Sequence, residues 1–206
     1  MRLVLASASP RRRELLAAIG LAFEVTPADI DEVAVAGRRP PDEAVLAVAV
    51  AKAAALPRAN ALVLAADTIV VLDDAVLGKP MTPEHARHML AMLGGRAHRV
   101  LTGVCLVTPE ERRTALIESD VRMRPYGAAE IETYVAAGGG LDKAGSYGIQ
   151  DEPFRPVEAI AGCWCNVMGL PLWTVWTMLI EVGVPVPQPP DCAYARCAAC
   201  PCARDG

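Results

Sequence analysis

Aromatic side chains are scarce, 4% of 206 residues, and the formal net charge is −4. Both count against a general nucleic-acid binder, which needs stacking platforms and a basic surface. The three histidines are His85, His88 and His98. His85 and His88 stand at i, i+3 on an expected helix, but no third ligand is near, so all three read as surface or interface residues. No Gly-x4-Gly-Lys-Ser/Thr loop, no Gly-x-Gly-x-x-Gly after a strand and no Gly-x-Ser-x-Gly elbow occurs. These gaps argue against P-loop, dinucleotide-binding and serine-hydrolase chemistry. No apolar run is long enough to span a bilayer: residues 44–66 are interrupted by Lys52, Pro57, Arg58 and Asn60. The N-terminus lacks a secretory pattern, so the expected compartment is the cytoplasm, without membrane or nucleic-acid partners.

What is present is a globular composition, 53% hydrophobic, long enough for a real core. Short apolar runs alternate with helical stretches at first and become more antiparallel in the middle. This predicts an α/β protein with a mixed sheet. Strands are expected over 3–5, 23–26, 62–66, 98–108, 114–124 and 164–168, with a hairpin over 69–77. Helices are expected over 10–19, 42–56, 83–93, 128–137 and 171–182. Cys105, Cys163 and Cys165 read as reduced packing residues. Cys192, Cys197, Cys200 and Cys202 crowd a Pro-rich end. Four thiolates could hold zinc, but the flanks favour a disordered tail over 185–206, which leaves one domain over 1–184.

Charge placement supplies the functional signal. Ser9 suits an N-cap and Pro10 the first helical position. Arg11, Arg12 and Arg13 then fall in the first turn, where the helix dipole is already positive. A solvated basic turn with Arg13 paired to a carboxylate is one reading. An anion held by backbone N–H groups, serine hydroxyls and guanidinium forks is the other. Asp67 closes the apolar run 62–66, either capping the next turn or acting as a general base or metal ligand. Asp31 and Glu32 form a second acidic point, and Lys52 and Lys79 add cations. Together these groups have the parts for phosphoanhydride hydrolysis. Carboxylates would hold a hard divalent cation, and Lys and Arg would neutralise phosphate charge.

Several segments carry a resemblance: Leu-Ala-Ser-Ala-Ser-Pro-Arg-Arg-Arg-Glu-Leu-Leu over 5–16, Asp31-Glu32, Lys52-Ala53, Ala66-Asp67-Thr68-Ile69-Val70 and Gly78-Lys79-Pro80. To these are added Thr102-Gly103-Val104, Leu-Asp-Lys-Ala-Gly-Ser-Tyr-Gly-Ile-Gln over 141–150 and Val-Met-Gly-Leu-Pro-Leu over 167–172. In order and spacing they resemble the Maf family of nucleoside triphosphate pyrophosphatases. The resemblance implies an inosine-triphosphatase-like fold, two α/β lobes with a central cleft. It implies hydrolysis between the α and β phosphates, with Mg or Mn as cofactor, and a possible homodimer. Asp67 corresponds to the family's proton acceptor, and Ser7, Arg11, Arg12, Glu32, Lys52 and Lys79 to its active-site positions. The metal is implied at Glu32 and Asp67. Arg11, Thr68 and Gln150 resemble the branch that takes dTTP and UTP. The segments 151–156 and 163–166 and Ala47 depart from the family pattern. The altered rim at 151–156 sustains an alternative, a nucleotide-binding regulator of cell division with little turnover.

Overall fold

The computed structural model describes residues 1–57, 60–186 and 190. Apart from residues 185, 186 and 190, the expected tail and its four cysteines lie outside them. Among the described residues the strands are β1 (Arg2–Leu5), β2 (Phe23–Val25), β3 (Ala61–Leu72), β4 (Ala75–Leu77), β5 (Ala97–Val107), β6 (Arg112–Met123) and β7 (Val157–Ala161). The helices are α1 (Pro10–Ala17), α2 (Glu32–Ala36), α3 (Pro41–Ala54), α4 (Pro83–Leu93), α5 (Ala128–Ala136), α6 (Trp164–Met168) and α7 (Leu172–Glu181). The strands form one mixed sheet in the order β2-β1-β3-β5-β6-β7, with β4 paired to β3. The α/β class with a mixed sheet is the one expected. No helix among the described residues is long and apolar enough to cross a membrane.

The chain divides into two compact units. The first comprises, among the described residues, Met1–Thr68, Thr102–Ile117 and those from Cys163 on. Here β1 runs parallel to both β2 and β3, with Leu3 opposite Phe23 and Leu62. Parallel strands are covered on both faces, which is why β3 reads as an unbroken apolar run from Leu62 to Ala66. One face packs on α3 through small side chains: Ala6, Ala49, Ala53, Val63 and Ala65 share a cluster with Cys105 and Val107. Gly103 allows α3 to come close. A Cβ there would lie 2.8 Å from the Val45 carbonyl oxygen and 2.9 Å from Leu46 Cα.

The second unit comprises Ile69–Leu101 and Glu118–Gly162. The expected hairpin is present: β4 returns antiparallel on the end of β3, with Val70 opposite Leu77, and Asp73 turns at φ 53°. Arg87 on α4 grips Glu132 on α5. Phe154 stacks on Tyr134, with ring centroids 4.3 Å apart and planes at 19°.

Three expectations about these elements need correction, and two elements are new. Residues 164–168 are a helical turn, not a strand. Cys163 Sγ accepts from Asn166 N at its start, and Gly169 at φ 108° ends it. A five-residue apolar run does not distinguish a strand from a buried helical turn. Second, β3 does not stop at Asp67 but continues to Leu72, because the carboxylate finds a buried cation. Third, His98 is 4% exposed, not a surface residue. Its Nε2 lies 2.7 Å from the Tyr147 hydroxyl. The new elements are α2 and β7; Asp31 caps α2 by accepting from Ala34 N at 2.9 Å.

Candidate active site

Two polar clusters grow from consecutive residues of β3. Successive strand residues point to opposite faces, so Val63, Ala65 and Asp67 look towards α3. On α3 the buried residues are Val45, Val48, Ala49, Lys52 and Ala53, the i, i+3, i+4, i+7, i+8 stripe of a core-facing helix. Lys52 therefore occupies a core position. From the sequence alone, a lysine four residues after Val48 is expected to run its stem along this stripe and keep its charge at the edge. Instead the ammonium is buried, with Nζ 2.7 Å from Asp67 Oδ1 and 2.8 Å from Glu32 Oε1. Asp67 is 8% exposed, and Glu32, at the start of α2, stays open to solvent. A carboxylate and an ammonium this far from water need each other, since either alone would carry a large desolvation cost.

Thr68 faces the other way, towards α1. The Ser9 hydroxyl caps α1 by accepting from Arg12 N at 3.4 Å, and Pro10 takes the first position, both as expected. Arg12 turns its guanidinium inwards. Nε donates to the Gly169 carbonyl at 2.8 Å, Nη2 to Thr68 Oγ1 at 3.1 Å and Nη1 to Ser7 Oγ at 3.4 Å. Burial pushes the Arg12 guanidinium below the usual arginine value, while attraction from Asp67 and Glu32 acts the other way. Behind Thr68 lies Thr102, fully buried on β5, its Oγ1 2.9 Å from Thr68 Oγ1 and 3.1 Å from the Asn166 carbonyl. Arg11 is partly buried and Arg13 is exposed.

The structure thus gathers Glu32, Lys52 and Asp67 in one cluster and Ser7, Arg12 and Thr68 in the other. Lys79 and Gln150 belong to the second unit. Lys79 is exposed and follows β4, next to Gly78, whose carbonyl accepts from Gly145 N at 3.1 Å. Gln150 borders a cavity of about 660 Å³ lined also by Thr133, Tyr134, Lys143, Asp151 and Phe154. Asp151, in the segment that departs from the family pattern, accepts from the Tyr134 hydroxyl and sits 3.5 Å from Lys143 Nζ. The sequence reading assigned no role to Thr102 or Gly169. Both fall in segments that carry the family resemblance, and that was the available signal.

Glu32 and Asp67 offer hard oxygen donors that suit a divalent cation, and each has a second carboxylate oxygen besides the one facing Lys52. Among the described residues no group of three or more His, Cys, Asp or Glu side chains gathers.

Comparison with known proteins identifies the family. A protein of Thermomicrobium roseum described as dTTP/UTP pyrophosphatase is 45% identical over 206 residues, covering 98% of this chain and 94% of its own. A protein of the same description from Anaeromyxobacter sp. (strain Fw109-5) is 50% identical over 191 residues, covering 90% and 92%. Among solved structures, a HAM1 protein from Coxiella burnetii is a looser match, 17% identical, with a TM-score of 0.48 over 88% of this chain and 99% of that one. The family pattern described as Maf-like protein matches residues 2–182, and the chain belongs to the Maf family.

Proposed function

We propose that this protein hydrolyses nucleoside triphosphates, with dTTP and UTP favoured, at the α–β phosphoanhydride. The products are the nucleoside monophosphate and pyrophosphate. The observation that carries this reading is the buried Lys52 held between Asp67 and Glu32, one residue along β3 from the Thr68–Arg12 pair. The names of its relatives point to the same substrates. The catalytic domain in this reading runs over 1–184.

Asp67 takes the proton of the attacking water. Lys52 holds Asp67 Oδ1 at 2.7 Å and so fixes how the carboxylate is turned. Glu32 and Asp67 would hold a divalent cation, Mg or Mn, which when bound supplies charge to polarise the phosphoryl group and to acidify water. Ser7, Arg11, Arg12 and Lys79 meet the triphosphate and offset the negative charge that grows on it. Arg11, Thr68 and Gln150 help to choose the base.

A pyrophosphate-release assay over a panel of nucleotides with Mg²⁺ or Mn²⁺ tests the reading. Turnover of dTTP and UTP above the purine triphosphates supports it. Turnover of purine triphosphates with dTTP and UTP intact at saturation contradicts the specificity. Tight nucleotide binding by calorimetry without any product would favour the regulator instead.

A further inference from the structure

Each threonine hydroxyl carries one hydrogen, and counting hydrogens fixes the direction of the Arg12–Thr68–Thr102 chain. The Asn166 carbonyl can only accept, so the hydrogen 3.1 Å away comes from Thr102 Oγ1. Thr102 then has none left for its neighbour. The 2.9 Å contact between the two hydroxyls is therefore a donation from Thr68 to Thr102. Arg12 Nη2 also has only hydrogens to give, so Thr68 accepts from it at 3.1 Å. The direction is single: guanidinium N–H to Thr68, Thr68 to Thr102, Thr102 to the backbone. Thr102 is fully buried, so no water competes at its hydroxyl.

We infer that Thr102 is a positioning residue for substrate. By drawing the Thr68 hydrogen inwards, it makes Thr68 an acceptor on its exposed side. Thr68 is only partly buried and keeps one lone pair beyond those contacts. Phosphate oxygens only accept, so Thr68 has nothing to give them. Its match is an N–H or O–H donor of the nucleotide, such as the N3–H of a uracil or thymine ring or a sugar hydroxyl. The inference rests on the proposed nucleotide hydrolysis and adds what Thr68 offers the substrate and which residue dictates it. The nearby Gly169 narrows the geometry further: a Cβ there would lie 3.4 Å from Thr68 Oγ1.

The test is a double-mutant cycle of Thr102→Val and Thr68→Val, with Thr102→Ser as the conservative variant, read as KM and kcat for UTP and for N3-methyl-UTP. Thermal unfolding of each variant confirms that the fold is retained. Thr102→Val is expected to raise KM for UTP about tenfold, the loss of one hydrogen bond, with kcat within about twofold. Thr102→Ser keeps the hydroxyl and stays within about twofold of wild type in both. In the Thr68→Val background, Thr102→Val adds nothing. If this coupling vanishes with N3-methyl-UTP, the donor is the base N–H; if it persists, the donor is a hydroxyl. A Thr102→Val protein with wild-type KM, a fall in kcat alone, or additive effects would overturn the inference. A wild-type protein that hydrolyses no nucleotide overturns the functional reading itself, and the inference with it.

Discussion

Lys52 Nζ lies 2.7 Å from Asp67 Oδ1, and both side chains are almost wholly shielded from water. The pair links helix α3 to strand β3 at the polar Asp67-Thr68 step that interrupts the strand's apolar run. It serves the fold and the proposed chemistry at once, and substitution can separate these roles.

Replacing Lys52 by Met leaves the Asp67 carboxylate buried without its cation. Stability should fall by about 3 kcal/mol. Adding Asp67→Asn removes the stranded charge, so the double variant should unfold at lower denaturant than wild type but higher than Lys52→Met alone. Urea titrations of the wild type and the three variants measure this. Strict additivity would mean that the two residues do not depend on each other.

Gly103 tests how α3 is seated. Alanine there puts a Cβ 2.8 Å from the Val45 carbonyl oxygen, and both partners are backbone, so α3 must move. Overpacking of this kind costs about 2 kcal/mol, a drop in Tm of roughly 4–8 °C for a chain of this size. Because α3 carries Lys52, activity should fall as well. Calorimetry and the pyrophosphate assay together check the prediction, and an unchanged Tm would refute the close-packing account.

His98 makes stability depend on acid. Burial pushes its imidazole down to about 4 from an ordinary 6.5. The unfolded chain therefore takes up a proton near 6.5 that the folded chain refuses until about 4. The stabilisation is complete above about pH 6.5, is lost as pH falls, and levels off near pH 4, with a total of about 3 kcal/mol. His98→Gln can keep a hydrogen bond to Tyr147 without titrating. Its stability should vary less between pH 7 and pH 4 than that of wild type, as read from denaturant midpoints across that range. Parallel curves would contradict the assignment.

Much of this was legible because local chemistry decided it. Ser9-Pro10 starts α1, Pro83 starts α4, and the Asp73-Asp74 turn closes the β3–β4 hairpin, each through local chemistry. The failures were long-range. Asp67 looked like the end of a strand because its buried partner sits fifteen residues earlier on a helix. His98 looked like a surface residue because Tyr147, which bonds it, lies 49 positions on. The turn over 164–168 is set by the Cys163 thiol and the left-handed Gly169, which apolar content alone does not reveal. In the candidate site, the charged residues stood out by type and order. Thr102 did not, because a buried threonine in a strand looks like packing until its hydrogen-bond partners are seen.

The most direct test of the central claim is product identity with dTTP, for wild type and Asp67→Asn side by side. The account predicts dTMP and pyrophosphate in equal amounts from wild type. It predicts a rate about 10²–10⁴ lower from Asp67→Asn with the fold intact by circular dichroism. Release of dTDP and orthophosphate, or full activity in Asp67→Asn, would contradict it.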